Sequence, residues 1–306
     1  MSSMNIWGKI FYRISRGIRL SNISRLYKIE DDKRESTGFK LISFCGESGI
    51  DYLNAMLISI YKNWPKIPEV IIISDGTPSQ VFKEKMIKWP REITIISWEE
   101  CALSFKNNGN ENVYYYASNH IFGKKFVGIL YCAERWPVLY SDSDVLWFNY
   151  PGEIDTKLHL NPHIFMSRDV ECSYDKKLLH ALSEENCLTT VPLNAGLIYI
   201  KGNFSSFPIW DKFCDYIVRK EDFGNFTEQT FFAILSNHIN PDSYWNNDRI
   251  LIKIDDVYSL DYTLKNYPKI VARHYVSVKD TTFWRDFLIM TIRRNRQVKS
   301  NARPAE

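Results

Sequence analysis

The strongest constraint on this chain is a regular alternation of short apolar runs with longer amphipathic stretches between residues 39 and 140. Phe39 to Cys45 is mostly apolar and stops at Gly46, which predicts a first strand. Leu53, Met56, Leu57 and Ile60 then recur at three- and four-residue spacing across Asp51 to Tyr61, a helix closed by Trp64-Pro65. Val70 to Ile73 predicts a second strand, broken by Ser74-Asp75-Gly76-Thr77-Pro78 and followed by a helix through Lys88. Ile93 to Ile96 predicts a third strand. Beyond a polar loop at Lys106 to Asn112, residues 117–134 read as one helix ending at Trp136-Pro137, and Val138 to Tyr140 as a fourth strand. Continuous apolar strands joined by helices predict an α/β fold with a mostly parallel sheet covered on both faces. Ligands in such sheets bind beyond the carboxyl ends of the strands. Asp75 and the pair Asp142 and Asp144 fall at such ends.

Past Trp147 the alternation loosens. Ile164 to Ser167, Leu197 to Ile200 and Val271 to Val276 have strand character, while Phe207 to Arg219 and Glu228 to Ser236 have helical spacing. With no internal repeat and no linker after residue 37, the expectation is one α/β domain over residues 38–284. A basic N-terminal helix and linker (1–37) and a basic C-terminal helix or tail (285–306) flank it.

The ends differ in charge from the middle. Lys9, Arg13, Arg16, Arg19, Arg25 and Lys28 precede the first acid, Glu30, and Arg293, Arg294, Arg296 and Lys299 crowd the other end. Ile6, Trp7, Ile10, Phe11, Ile14 and Ile18 lie between the N-terminal bases at helical spacing, so residues 4–28 predict an amphipathic helix with a cationic face. It suits docking on the domain and contact with an anionic membrane surface equally. A net charge of +3 is too small for a nucleic-acid binder. No stretch reaches the roughly 18 apolar residues of a membrane span, and bases interrupt the N-terminus too often for a signal peptide. The six scattered cysteines form no CxxC pair, which favours buried thiols in a reducing compartment. The expected place is the cytoplasm, with peripheral contact at the inner membrane face as an option.

Chemistry concentrates in Val-Leu-Tyr-Ser-Asp-Ser-Asp-Val-Leu-Trp-Phe, residues 138–148. In extended chain, positions i and i+2 share a face, so Asp142 and Asp144 are expected to converge. Two carboxylates held together resist ionisation unless a cation compensates. Oxygen ligands favour Mg2+ or Mn2+.

The segment from Trp136 to Phe148 resembles the Asp-x-Asp region of GT-A-fold nucleotide-sugar glycosyltransferases, whose fold is Rossmann-like. The chain over about residues 39 to 284 is most similar to glycosyltransferase family eight, the glycogenin-like enzymes, and to related nucleotide-diphospho-sugar transferases. The resemblance implies that Asp142, Asp144 and His274, in Val-Ala-Arg-His-Tyr, hold Mn2+ against the diphosphate of a sugar donor, with Ser143 among the donor contacts. The family continues from its histidine to a Gly and then Lys-Pro-Trp. This chain has Val-Ser-Val-Lys-Asp-Thr-Thr-Phe-Trp there, and Lys279 is the base offered to the diphosphate. Lys125, or its neighbour Lys124, matches a basic residue that contacts donor phosphate.

Leu-Asn-Ala-Gly-Leu (193–197) resembles the family's Asn-Ala-Gly turn, which implies that Asn194, Ala195 and Gly196 approach the donor sugar. A Gly suits close approach because a ligand there tolerates no Cβ. Glu228-Gln229 resembles an Asp-Gln pair beside the anomeric carbon, where such groups stabilise an oxocarbenium-like transition state. Asp169, next to Arg168, is placed to bond sugar hydroxyls, and Gly46 and Asp75 to meet base or ribose. The implied activity is transfer of a sugar, with retention, from a UDP-sugar to a glycan, lipid-linked or protein hydroxyl. Two other functions fit parts of the pattern. One is a non-catalytic sugar-nucleotide-binding protein. The other is a phosphatase of the haloacid-dehalogenase type, with Asp255-Asp256 as its later acids; Leu146 and the three strand–helix units before the motif count against it.

Overall fold

The structure, a computed structural model, describes residues 32–218, 223–241, 243–252, 269–276 and 282–291, together with the isolated positions 13, 17 and 29. The basic segment 4–28, Lys279 and the Asp255-Asp256 pair lie outside the described residues, apart from positions 13 and 17.

Strands β1 (Lys40–Cys45), β2 (Val70–Ser74), β3 (Ile93–Ser97) and β4 (Val138–Ser141) form the parallel half of a seven-stranded sheet. The order is completed by β7 (Leu193–Lys201), β6 (His163–Arg168) and β8 (Tyr244–Trp245), giving β3-β2-β1-β4-β7-β6-β8. β7 runs antiparallel to both β4 and β6. A second, three-stranded sheet has the order β5-β10-β9, from β5 (Val145–Trp147), β10 (Ala272–His274) and β9 (Ile250–Ile252).

Side-chain alternation along the strands divides the core in two. Ile42, Ile71, Ile73, Val138 and Tyr140 face one side of the large sheet. There they meet α3 (Trp98–Asn107), α4 (Glu111–Asn119), α5 (Ile121–Ala133), α6 (Lys176–Leu182), α7 (Pro208–Val218) and α8 (Thr227–Ile239). Leu41, Val70, Ile72 and Leu139 face the other side, against α1 (Ile50–Asn63), the small sheet, and helical residues 282–291. The seven-residue helix α2 (Ser79–Lys85) completes that layer through buried Phe82.

The expected parallel sheet with helices on both faces is present. Several local expectations need correction. Residues 117–134 are not one helix: His120 is extended (φ −144°, ψ 137°), ending α4 and starting α5. The break is one residue long, so hydrophobic spacing runs through it and hides it. Residues 193–197 are not a turn but the start of β7, with a bulge: Ser167 pairs with Asn194, while the next residue back, Met166, pairs with Ile198. Residues next to the expected boundaries contact the domain. Arg34 Nη1 donates to the carbonyls of Tyr61 (2.8 Å) and Trp64 (2.5 Å), and the helix over 282–291 runs through position 284 with Arg285 and Asp286 buried.

Candidate active site

β4 and β5 are consecutive in the chain but belong to different sheets, so the residues between them must turn. Asp142, Ser143 and Asp144 make that turn; the two acids converge through it rather than through the pleat of one extended strand. Both ends of the turn are pinned. The Asp142 N–H donates to the Gly196 carbonyl (2.8 Å), and the Asp144 carbonyl accepts from the Tyr275 N–H (3.1 Å). Helix α1 holds the exit: Trp147 donates its N–H to Ser59 Oγ (2.9 Å), and Asn63 Nδ2 donates to the Trp147 carbonyl (2.8 Å).

His274 ends β10, paired antiparallel with β5 opposite Val145. Its Nε2 lies 3.5 Å from Asp142 Oδ2 and 3.4 Å from Asp144 Oδ1. One ligand atom from each of the three residues falls within 4.8 Å of the others. The far side of the ring is fixed as well. Asn194 Nδ2 donates to Asp169 Oδ2 (2.9 Å), so its Oδ1 is the acceptor shared by the Gly196 N–H (2.8 Å) and His274 Nδ1 (3.1 Å). His274 therefore carries a proton on Nδ1, and its Nε2 faces the acids. This is the arrangement of an outer partner that orients a metal-ligating imidazole. Burial pushes the His274 pKa down, but the Asp144 and Asp142 carboxylates outweigh it and hold it above the ordinary value.

Gly196 has a reason within the protein itself. A Cβ there would lie 2.1 Å from His274 Cε1 and 2.4 Å from its Nδ1, so the missing side chain makes room for the imidazole. Similarly, a Cβ at Gly46 would meet Asp75 Oδ2 at 2.0 Å, which puts these two strand-end residues against each other.

On the opposite side, α5 brings Lys125 into the cleft, nearly buried. Its Nζ lies 2.9 Å from Glu228 Oε1 and 3.4 Å from Asp142 Oδ1, and donates to the Ala195 carbonyl (3.0 Å). Burial alone lowers the Lys125 pKa; Asp142 and Glu228 more than offset it, so the ammonium stays charged. Lys124 is turned away, donating to the Asp75 carbonyl (3.0 Å) and standing over the Trp98 ring. Gln229 Oε1 accepts from the Ala195 N–H (3.2 Å) and its Nε2 donates to the Ser173 carbonyl (2.9 Å), leaving one N–H and one lone pair.

These residues line a cleft of about 500 Å³, together with Ser143 and Asp169. That volume lies within the range, roughly 300–1,000 Å³, of small-molecule sites. Gly46 and Asp75 are not among its lining residues. Sequence reasoning missed Phe122 and half-exposed Phe226, which line it, and Tyr140, whose hydroxyl donates to Asp142 Oδ1. No local signal separates those rings from core aromatics. A second cleft, about 430 Å³, opens beside Glu184, Asn237 and Tyr244 and includes none of the three acid and histidine donors. Among the described residues, Asp142, Asp144 and His274 are the one such donor group.

No family model and no curated protein matches the sequence. Solved structures do match. The galactosyltransferase LgtC, in complex with donor and acceptor sugar analogs, is 14% identical with a TM-score of 0.56, over 83% of this chain and 95% of that one. Mouse xyloside xylosyltransferase 1 in its apo form is 13% identical with a TM-score of 0.50, over 78% and 97%. The apo WbbM bifunctional glycosyltransferase is 10% identical with a TM-score of 0.52, over 86% of this chain and 50% of that one. The fold of this chain is the GT-A fold that these glycosyltransferases share.

Proposed function

We propose that this chain is a metal-dependent glycosyltransferase that takes a sugar from a nucleoside-diphosphate donor, UDP-sugar by its resemblance to family eight. The observation that carries this is the convergence of Asp142, Asp144 and His274 within 4.8 Å at the strand ends of a GT-A fold. Two carboxylates and an Nε2 lone pair suit Mn2+ or Mg2+, and Asn194 holds the imidazole in the tautomer a metal needs. Bound there, the ion would neutralise charge on the departing diphosphate.

The chain's own groups have distinct parts. Lys125, charged and fixed, adds positive potential beside the leaving group. Glu228 holds Lys125 in place. Asn194 acts through His274, and Asp169 fixes Asn194. Gln229 keeps one N–H and one lone pair to offer near the sugar, and Ser143, Ala195 and Gly196 present turn and strand backbone to the donor. Phe122 and Phe226 add apolar surface to the cleft wall. An acceptor hydroxyl, on a glycan, lipid-linked or protein acceptor, then attacks the anomeric carbon; the family resemblance favours retention.

The test is a panel of sugar nucleotides with Mn2+ or Mg2+, read by release of the nucleoside diphosphate. Turnover of at least one sugar nucleotide that stops with chelator is expected. Binding without turnover would favour the non-catalytic alternative. Activity on a phosphate monoester but on no sugar nucleotide would overturn the proposal.

A further inference from the structure

The strand that carries His274 is held from behind by one carboxylate. Neighbouring residues on a strand point to opposite faces, so Arg273 and Tyr275 project away from the side that His274 faces. Both end on the same atom: Arg273 Nη1 lies 3.0 Å from Asp286 Oδ2, and the Tyr275 hydroxyl donates to it at 2.8 Å. The other oxygen, Oδ1, accepts from Arg285 Nε (2.8 Å). Asp286 is 3% exposed, and Arg273 and Tyr275 are fully buried. Tyr275 has a second tie, because its N–H donates to the Asp144 carbonyl. One aspartate on the helix over 282–291 is thus bonded to both neighbours of His274, and through Tyr275 to the backbone of the second acid.

We infer that Asp286 is a positioning residue, which sets the place of His274 relative to Asp142 and Asp144 by clamping Arg273 and Tyr275 on the reverse face of β10. The inference rests on the metal-site assignment made above. Packing alone would hold the helix: Phe283 meets Tyr275 and Tyr52, and Phe287 is fully buried. What packing does not supply is a directional hold on the residues either side of the imidazole. Charge-assisted hydrogen bonds with fixed geometry supply it.

The experiment compares Asp286→Asn and Tyr275→Phe with Phe287→Leu, which loosens the same helix without touching the carboxylate. Mn2+ affinity is measured by titration calorimetry, and the His274 ring resonances are followed by 15N NMR in metal-free protein. Asp286→Asn is expected to weaken Mn2+ about 10-fold, the low end for outer-shell partners of a metal ligand, and Tyr275→Phe by less. Both should shift the His274 ring signals, while Phe287→Leu leaves affinity and signals in place at a comparable loss of Tm. Unchanged affinity and signals in Tyr275→Phe would overturn the inference, as would an equal change in Phe287→Leu. If Asp286→Asn does not fold, Tyr275→Phe decides. If the wild type binds no Mn2+, the metal assignment fails, and the NMR comparison still decides whether Asp286 places His274.

Discussion

The two walls of the cleft are built differently. On the acid wall, His274 Nε2 stands 3.4–3.5 Å from the two carboxylates, beyond the usual range of a hydrogen bond. On the basic wall, Lys125 makes contacts of 2.9 Å and 3.0 Å to Glu228 and Ala195, and both charges are buried. The first wall gathers three potential metal ligands within 4.8 Å of one another. The second is complete within the protein. Folding stability should therefore depend more on the second wall than on the first.

The largest separation is expected for Asp144→Ala. Donor turnover should fall at least about 1,000-fold, roughly 4 kcal/mol in barrier, while the thermal midpoint barely moves because the residue sits in a turn. Undiminished turnover of this variant in chelator-treated buffer would remove the metal from the mechanism. Lys125→Met, by contrast, is expected to lose folding stability as well as turnover. It leaves Glu228 buried beside Asp142 without its cation, a change that costs about 3–5 kcal/mol of folding stability, read by denaturant unfolding. Pairing it with Glu228→Leu should recover most of that loss; if it does not, the ion pair is not self-contained.

Gly196→Ala sharpens the comparison from within the acid wall. Its new Cβ would sit 2.1 Å from His274 Cε1 and displace the ring. Mn2+ affinity should drop about 10-fold or more, as for loss of an orienting partner, with the Lys125–Glu228 pair undisturbed. Calorimetry showing wild-type affinity would mean that the ring has room to spare. The smallest effect is on pH dependence. The His274 pKa is raised in the folded metal-free protein, so its charged form stabilises the fold fully below the unfolded value of about 6.5. That contribution is lost as pH rises through the folded value. Thermal midpoints in chelator should accordingly fall across that window, and Asp144→Ala should flatten the trend. Mn2+ affinity should run the other way, rising with pH as the competing proton leaves.

The halves of the sheet differ in how openly the sequence shows them. β1 to β4 are continuous apolar runs because helices cover both faces, and each could be placed from its own residues. The short strands β5, β9 and β10 have three residues each, and exist because Ala272 to His274 finds Trp147 to Val145 far away in the chain. Helix α3 was passed over between a strand and a polar loop, although Ser97 caps it through the Glu100 N–H. Asp142 and Asp144 were legible because they follow a core strand. Lys125 over Lys124 was not, since both lie on one helix and only packing decides which enters the cleft.

Local order alone determined the strand–helix alternation, the parallel half of the sheet and the acidic pair at its edge, because burial on two faces writes a pattern that neighbouring residues carry. Tertiary structure decided what that pair meets. His274 is 130 residues beyond Asp144 in numbering; Asn194 and Gly196 on β7 meet it directly, and Asp286 holds its neighbour Tyr275, from two further places in the chain. Contacts at such separations have no spacing to be read from; they arise only when the small sheet packs on a face of the large one and leaves one space for an imidazole.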